Sequence, residues 1–163
     1  MVASLTDEER NRGLVTCSSG NHGTALAFSA SLFGQPPTKV VLPKPSDPVK
    51  INKLESYGAE AILHGEHFLE TLDEALRYTE ETGATYVHSH GHPLVIAGQG
   101  TIGLEIIEDL PDGETILIPI GGGGLCSGIA MAVKAAAPQI RILGVEPTAA
   151  PGAYLSIRDG YCH

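Results

Sequence analysis

The sequence predicts an α/β fold built on a parallel sheet in three layers, and three observations carry that expectation. Short apolar runs alternate with longer amphipathic stretches, the pattern of strands separated by crossover helices. Glycine and proline fall where those helices should start and stop. A composition of 42% hydrophobic and 18% charged residues belongs to a packed globular chain rather than a disordered tail.

The elements follow in order. Leu14-Val15-Thr16-Cys17 reads as a strand that feeds a helix from about Asn21 to Leu32, with Gly34 as its C-terminal cap. Val40-Val41-Leu42 is the next strand, followed by a helix from Pro48 to Tyr57 with proline in its first turn and Gly58 after its end. Ala61-Ile62-Leu63 leads to a helix from Leu69 to Thr82, and Tyr86-Val87 to a helix from Val95 to Leu110. A second block has a strand at Glu114–Ile118, a loop at Gly121–Gly124, a helix from Leu125 to Ala136 and a strand at Arg141–Val145, with a turn at Pro111-Asp112-Gly113. Two strands and one helix cannot cover both faces of a parallel pair, so the second block is expected to be exposed or covered by another chain.

Length and charge narrow the function classes. A chain of 163 residues can bury a usable core without disulfides or metal. The net charge of −9 argues against nucleic acid and anionic membrane surfaces, which reward clustered Lys and Arg. Cys17, Cys126 and Cys162 form no Cys-x-x-Cys pair, which favours a reducing compartment. No apolar run is long enough to span a bilayer and no signal-peptide pattern opens the chain, so the expected location is cytoplasmic.

Two segments carry chemistry. Ser18-Ser19-Gly20-Asn21-His22-Gly23 and Gly121-Gly122-Gly123-Gly124-Leu125 each join the end of an apolar run to a helix start, where unpaired N–H groups and the positive end of the helix dipole face outward. Two anion cradles suggest a ligand with two anionic ends. The tetraglycine run is no Rossmann fingerprint: counting from Gly121 places Cys126 at the last glycine position, and counting from Gly122 places Ser127 there. No Gly-Lys-Ser/Thr follows it, so it is no P-loop. The alternative for this loop is a tight turn without a ligand, and for Asn21 a helix cap. His88-Ser89-His90-Gly91-His92 would align three imidazoles on a strand as a metal site, but Gly91 and Pro93 favour a loop. Glu66, Glu70, Asp73 and Glu74 read as a solvated helix face.

A Ser-Ser-Gly-Asn-His-Gly turn followed about a hundred residues later by a tetraglycine loop resembles the fold-type II pyridoxal-phosphate (PLP) enzymes of the tryptophan synthase beta-like group, most of all the serine/threonine dehydratase and serine racemase branch. The resemblance runs from about Gly13 to Tyr161. It implies that Gly121–Gly124 and Leu125 hold the cofactor phosphate and that Asn21 bonds the 3′ oxygen of the pyridine ring. It also implies that Ser18, Ser19, Gly20, Asn21 and His22 bind the substrate carboxylate. Ser19 stands where racemases of the family place a proton-exchanging serine, a weak racemase hint. Residues 13–96 would form the complete small domain and 97–163 part of the large, phosphate-binding one. Gly98-Gln99-Gly100-Thr101 and Glu105 resemble the interdomain helix and are read as packing residues. Glu146-Pro147 matches a pair that binds a divalent cation in some relatives, but Thr148–Gly152 lacks the further acid, so no metal is expected and Glu146 is at most a weak candidate.

The segment that supplies the family's cofactor-binding lysine has no match, and neither has its C-terminal portion. Lys39, Lys44, Lys50, Lys53 and Lys134 lie outside any matching motif. The resemblance therefore implies a fragment of an enzyme of amino acid metabolism that eliminates the hydroxyl of L-serine or L-threonine to give a 2-oxo acid and ammonia, inactive by itself. A homo-oligomer or a complementary chain would supply what is missing. The alternatives are a serine racemase-like activity, a non-catalytic module that binds PLP or another phosphorylated ligand, and a gene remnant.

Overall fold

The computed structural model describes all 163 residues, Met1–His163, and divides into two compact units, Met1–Ser89 and His90–His163.

The first unit contains a short 3₁₀ turn (Val2–Ser4), α1 (Asp7–Asn11), β1 (Leu14–Cys17), α2 (Asn21–Leu32), β2 (Thr38–Leu42), α3 (Pro48–Glu55), β3 (Glu60–Leu63), α4 (Phe68–Thr82) and β4 (Thr85–Tyr86). The four strands form one parallel sheet in the order β3-β2-β1-β4. The chain thus winds outward from β1 through β2 to β3, then crosses back to add β4 on the other side of β1. Right-handed crossovers in opposite directions place their helices on opposite faces. Leu26, Ala27 and Ala30 of α2 and Leu54 of α3 pack on Leu14, Val40 and Leu42, whereas Ala75 of α4 packs on Val15, Cys17 and Val41. That is the three-layer arrangement.

Both faces of β1 and β2 are covered, which explains their nearly continuous apolar runs. Val15, Val40, Val41 and Leu42 are fully buried, and each contributes about 1.5–3 kcal/mol on leaving water. The edge strand β3 is half open; its Glu60 pairs with Lys39 of β2 at 3.1 Å, and Lys39 also lies over the Tyr78 ring. Helix ends are marked as the sequence suggested: Pro48 opens α3 behind an Asp47 cap, and Gly34 and Gly58 have φ of 83° and 80° beyond α2 and α3.

The second unit contains α5 (Pro93–Asp109), β5 (Thr115–Pro119), α6 (Gly124–Ala136), β6 (Arg141–Val145) and α7 (Gly152–Asp159). β5 and β6 pair in parallel, Leu117 beside Leu143 and Pro119 beside Val145. One face packs Ile116, Ile118 and Ile142 against Ile129 and Val133 of α6. The other leaves Leu117, Leu143 and Val145 exposed, as expected of a pair with one covering helix. α5 and α6 cross closely: a Cβ on Gly100 would lie 3.1 Å from the Gly128 carbonyl oxygen, and one on Gly103 would lie 3.1 Å from that of Ile129.

Two helices were not anticipated. α1 rests on a Thr6/Glu9 capping box, and α7 is capped from a distance by Glu146. α5 also begins two residues earlier than the hydrophobic pattern suggests, because Pro93 takes the first turn and His92 Nδ1 accepts from the Leu94 N–H at 3.1 Å.

Candidate functional site

In open parallel sheets the crevice beyond the carboxyl ends of the strands, where the winding reverses, is the usual binding position. Here the reversal lies between β1 and β4. The Ser18–His22 turn leaves the carboxyl end of β1 at that point.

The turn is tied on both sides. Thr16 Oγ1 donates to the Val87 carbonyl at 2.8 Å, and His22 Nε2 lies 3.1 Å from the same oxygen. A carbonyl only accepts, so Nε2 carries the proton in this contact. Cys17 Sγ lies 3.2 Å from the Tyr86 hydroxyl, and burial pushes both groups' pKa up. The end of β1 is thereby locked to the end of β4 through side chains as well as the sheet.

Ser18 and Ser19 separate into different roles. Ser18 Oγ accepts from the Gly20 N–H at 3.2 Å and the Gly23 N–H at 3.1 Å, replacing the side-chain cap that Gly20 cannot provide. Gly23 is buried, and a Cβ there would lie 2.7 Å from Val40 Cγ1, so α2 starts hard against β2. Ser19 is exposed and its hydroxyl has no bond within the chain. Asn21, read from sequence as a possible cap, is instead the first helical residue, with its amide exposed and unbonded. The main-chain N–H groups of Ser19 and Asn21 also have no acceptor in the chain, so the turn offers an anion two amides at the head of a twelve-residue helix.

The second loop lies at the carboxyl end of β5. Gly123 has φ of 84°, a left-handed conformation that favours glycine, and caps α6 without a side chain. The first main-chain bond of the helix runs from the Ser127 N–H to the Gly123 carbonyl, which leaves the N–H groups of Gly124, Leu125 and Cys126 without acceptors. A Cβ on Gly121 or Gly123 would meet nothing within 4 Å, whereas on Gly122 or Gly124 it would run into His90. Free amides, an open approach and the positive end of a thirteen-residue helix fit a phosphate group.

Glu146 has a different task. Its carboxylate accepts from the N–H groups of Ala153 at 2.9 Å and Tyr154 at 2.8 Å, holding the start of α7. Together with Ile120, Gly121 and Pro151 it lines an open pocket of about 480 Å³ at the ends of β5 and β6. No group of three or more His, Cys, Asp or Glu side chains is arranged to hold a metal ion. Residues 87–92 form a loop rather than a strand, so His88, His90 and His92 do not share one strand face.

A family model described as pyridoxal-phosphate dependent enzyme matches residues 1–161. The chain belongs to this family. It is 47% identical over 159 residues to an L-threonine ammonia-lyase of Thermotoga maritima, a match that covers 98% of this chain and 39% of that protein. It is 42% identical to the catabolic L-threonine dehydratase TdcB of Escherichia coli, covering 98% of this chain and 48% of the relative. Among solved structures, maize serine racemase superposes with a TM-score of 0.93 at 39% identity, over 99% of this chain and 49% of that one. Processed threonine deaminase isoform 2 of Solanum lycopersicum gives 0.92 at 37% identity, over 99% and 44%. The chain therefore spans less than half the length of these relatives. No helix is long and apolar enough to cross a membrane.

Proposed function

We propose that this chain is the phosphate- and carboxylate-binding part of a PLP-dependent ammonia-lyase that converts L-threonine or L-serine to a 2-oxo acid and ammonia. The observation that carries the reading is the head of α6, where the amides of Gly124, Leu125 and Cys126 lack acceptors and the loop Gly121–Gly124 leading into Leu125 has no room for a Cβ at 122 or 124 and a left-handed backbone at 123. The ammonia-lyase and dehydratase names of the relatives supply the reaction class. When bound, PLP supplies an electron sink that allows the substrate's α-proton and β-hydroxyl to leave.

The remaining roles belong to the chain's own residues. The N–H groups of Ser19 and Asn21, with Ser18, Gly20 and His22 shaping the turn, receive the substrate carboxylate. The exposed Asn21 amide would donate to the 3′ oxygen carried by the cofactor's pyridine ring. Ser18 is committed to the turn, so Ser19 Oγ is the one hydroxyl of the pair available to hold or pass a proton, and that supports serine racemization as the second reading.

The five lysines of the chain are poor candidates to bind the cofactor covalently. Lys39 pairs with Glu60 and Lys44 with Glu66, Lys134 donates to the carbonyls of Pro138 and Ile140, and Lys53 lies over Tyr57. Lys50 stands nearest a proposed site residue, its Nζ 3.6 Å from the position a Cβ on Gly20 would take. The chain alone is expected to bind PLP without turnover. The exposed Leu117, Leu143 and Val145 face, beside open strand edges, supports a complementary chain or a second copy as partner. Three unpaired thiols go with a cytoplasmic setting.

PLP titration followed by borohydride treatment and peptide mapping tests this. Saturable binding with no cofactor fixed to a lysine is expected. Cofactor fixed at Lys50 would overturn the inactive-chain reading, and no binding would overturn the assignment.

A further inference from the structure

The tetraglycine loop is two-sided, and the two sides alternate along the chain. A Cβ on Gly121 or Gly123 would meet nothing within 4 Å. A Cβ on Gly122 would lie 2.5 Å from His90 Cγ, 2.6 Å from Nδ1 and 2.7 Å from Cδ2; one on Gly124 would lie 2.7 Å from the His90 carbonyl oxygen and 2.8 Å from its Cα. Real side chains do not approach that closely. Glycine is therefore needed at 122 and 124 because His90 is there, whatever ligand approaches the other side.

His90 is itself held by a stiff frame. It precedes α5 by three residues, and α5 is capped by His92 and crossed tightly with α6 at Gly100, Gly103 and Gly128. A Cβ on Gly128 would collide with the Ile96 carbonyl oxygen of α5. α6 in turn starts at Gly124, the residue that rests on the His90 main chain. The loop is thus clamped between the start of α6 and the segment that enters α5.

We propose that His90 is a positioning residue for the phosphate cradle: its imidazole backs Gly122 and its main chain backs Gly124, so the loop's amides are set before any ligand arrives. The proposal rests on the reading that this loop holds the cofactor phosphate. Four consecutive glycines have more conformational freedom to lose than any other sequence of that length, and a loop that ordered only on binding would lose affinity accordingly. A rigid planar ring against Gly122 removes that freedom in advance.

The test uses the 163-residue chain with PLP and, separately, inorganic phosphate as probes, read by absorbance titration and by the shift in urea midpoint. His90→Ala is expected to weaken PLP binding by about tenfold, the scale of ordering one mobile segment. His90→Asn, which keeps a planar group at Cγ, should bind within about twofold of the parent. Gly122→Ala should bind about tenfold more weakly or worse because the methyl meets the ring, and adding His90→Ala should restore part of that loss, a non-additivity that independent sites do not show. If Gly122→Ala fails to fold, recovery of a cooperative urea transition in the double variant supports the contact. Unchanged binding in His90→Ala, or a double variant no better than Gly122→Ala, overturns the positioning role while the phosphate reading stands. Absence of saturable binding in the parent overturns both.

Discussion

Replacing Ser18 by alanine removes one oxygen and leaves two main-chain donors without an acceptor. The Gly20 N–H is half-exposed and can turn to water, so its loss is small. The Gly23 N–H is buried in the first turn of α2, against Val40, and an unsatisfied buried donor costs about 1–3 kcal/mol. These bonds are the helix cap that Gly20 cannot supply, so the expected destabilisation is about 2 kcal/mol. In a chain of 163 residues that lowers the melting temperature by about 4–8 °C. Ser18→Thr keeps the acceptor and should stay close to the parent. Ser19→Ala removes an exposed hydroxyl with no partner and should change stability by less than about 0.5 kcal/mol. Urea unfolding followed by circular dichroism measures all three. A Ser18→Ala variant that unfolds with the parent, or a Ser19→Ala variant that loses as much, would show that Ser18 does not hold the turn.

Gly128→Ala should destabilise the second unit by about 2 kcal/mol or more, since its methyl meets the backbone of α5 rather than a movable side chain, and a melting curve reads this directly. Glu70 accepts from the Glu66 and His67 N–H groups, which hold its pKa below the ordinary glutamate value; its contribution is therefore complete above about pH 4.5 and lost as the pH falls through its lowered pKa. Glu70→Gln should accordingly flatten the loss of stability on acidification, measured as urea midpoint against pH. Leu117→Lys should suppress concentration-dependent association in sedimentation velocity, because it puts a charge in the uncovered face of β5 and β6.

Much of the fold was legible because its signals are local. Leu14-Val15-Thr16-Cys17 before Ser-Ser-Gly defines β1, and Arg141–Val145 and Asn21–Leu32 also match their elements residue for residue. α1 was missed although Thr6 and Glu9 form a capping box, because no apolar run follows to suggest a packed helix. α7 depends on a carboxylate six residues before its first turn, and local pattern does not report such a cap. Of the acidic cluster, Glu66, Glu70 and Asp73 are exposed, Glu70 also accepting from the Glu66 and His67 N–H groups, whereas Glu74 is partly buried and pairs with Arg77 at 2.6 Å.

For the site, the glycine loops were visible and the division of labour within them was not. Ser18 and Ser19 look equivalent in sequence, and only the placement of Gly23 beside Oγ separates structural from available hydroxyl. Asn21 looked like a cap until the turn placed it one residue inside the helix. In sequence His90 reads only as one of three alternating histidines in a loop, because its relation to Gly122 and Gly124 spans about thirty residues and exists only in the folded chain.

Whether the head of α6 holds a phosphate is read by ³¹P NMR titration of PLP with the parent chain and with Gly123→Ala. At φ of 84° an alanine is strained although nothing crowds its methyl, so the substitution alters the loop's conformation without filling the site. A phosphate-binding loop gives a saturable phosphorus shift in the parent that is lost or weakened at least about tenfold in Gly123→Ala, with the chain still folded. A phosphorus signal that does not saturate in the parent, or one that is unchanged in Gly123→Ala, would contradict it.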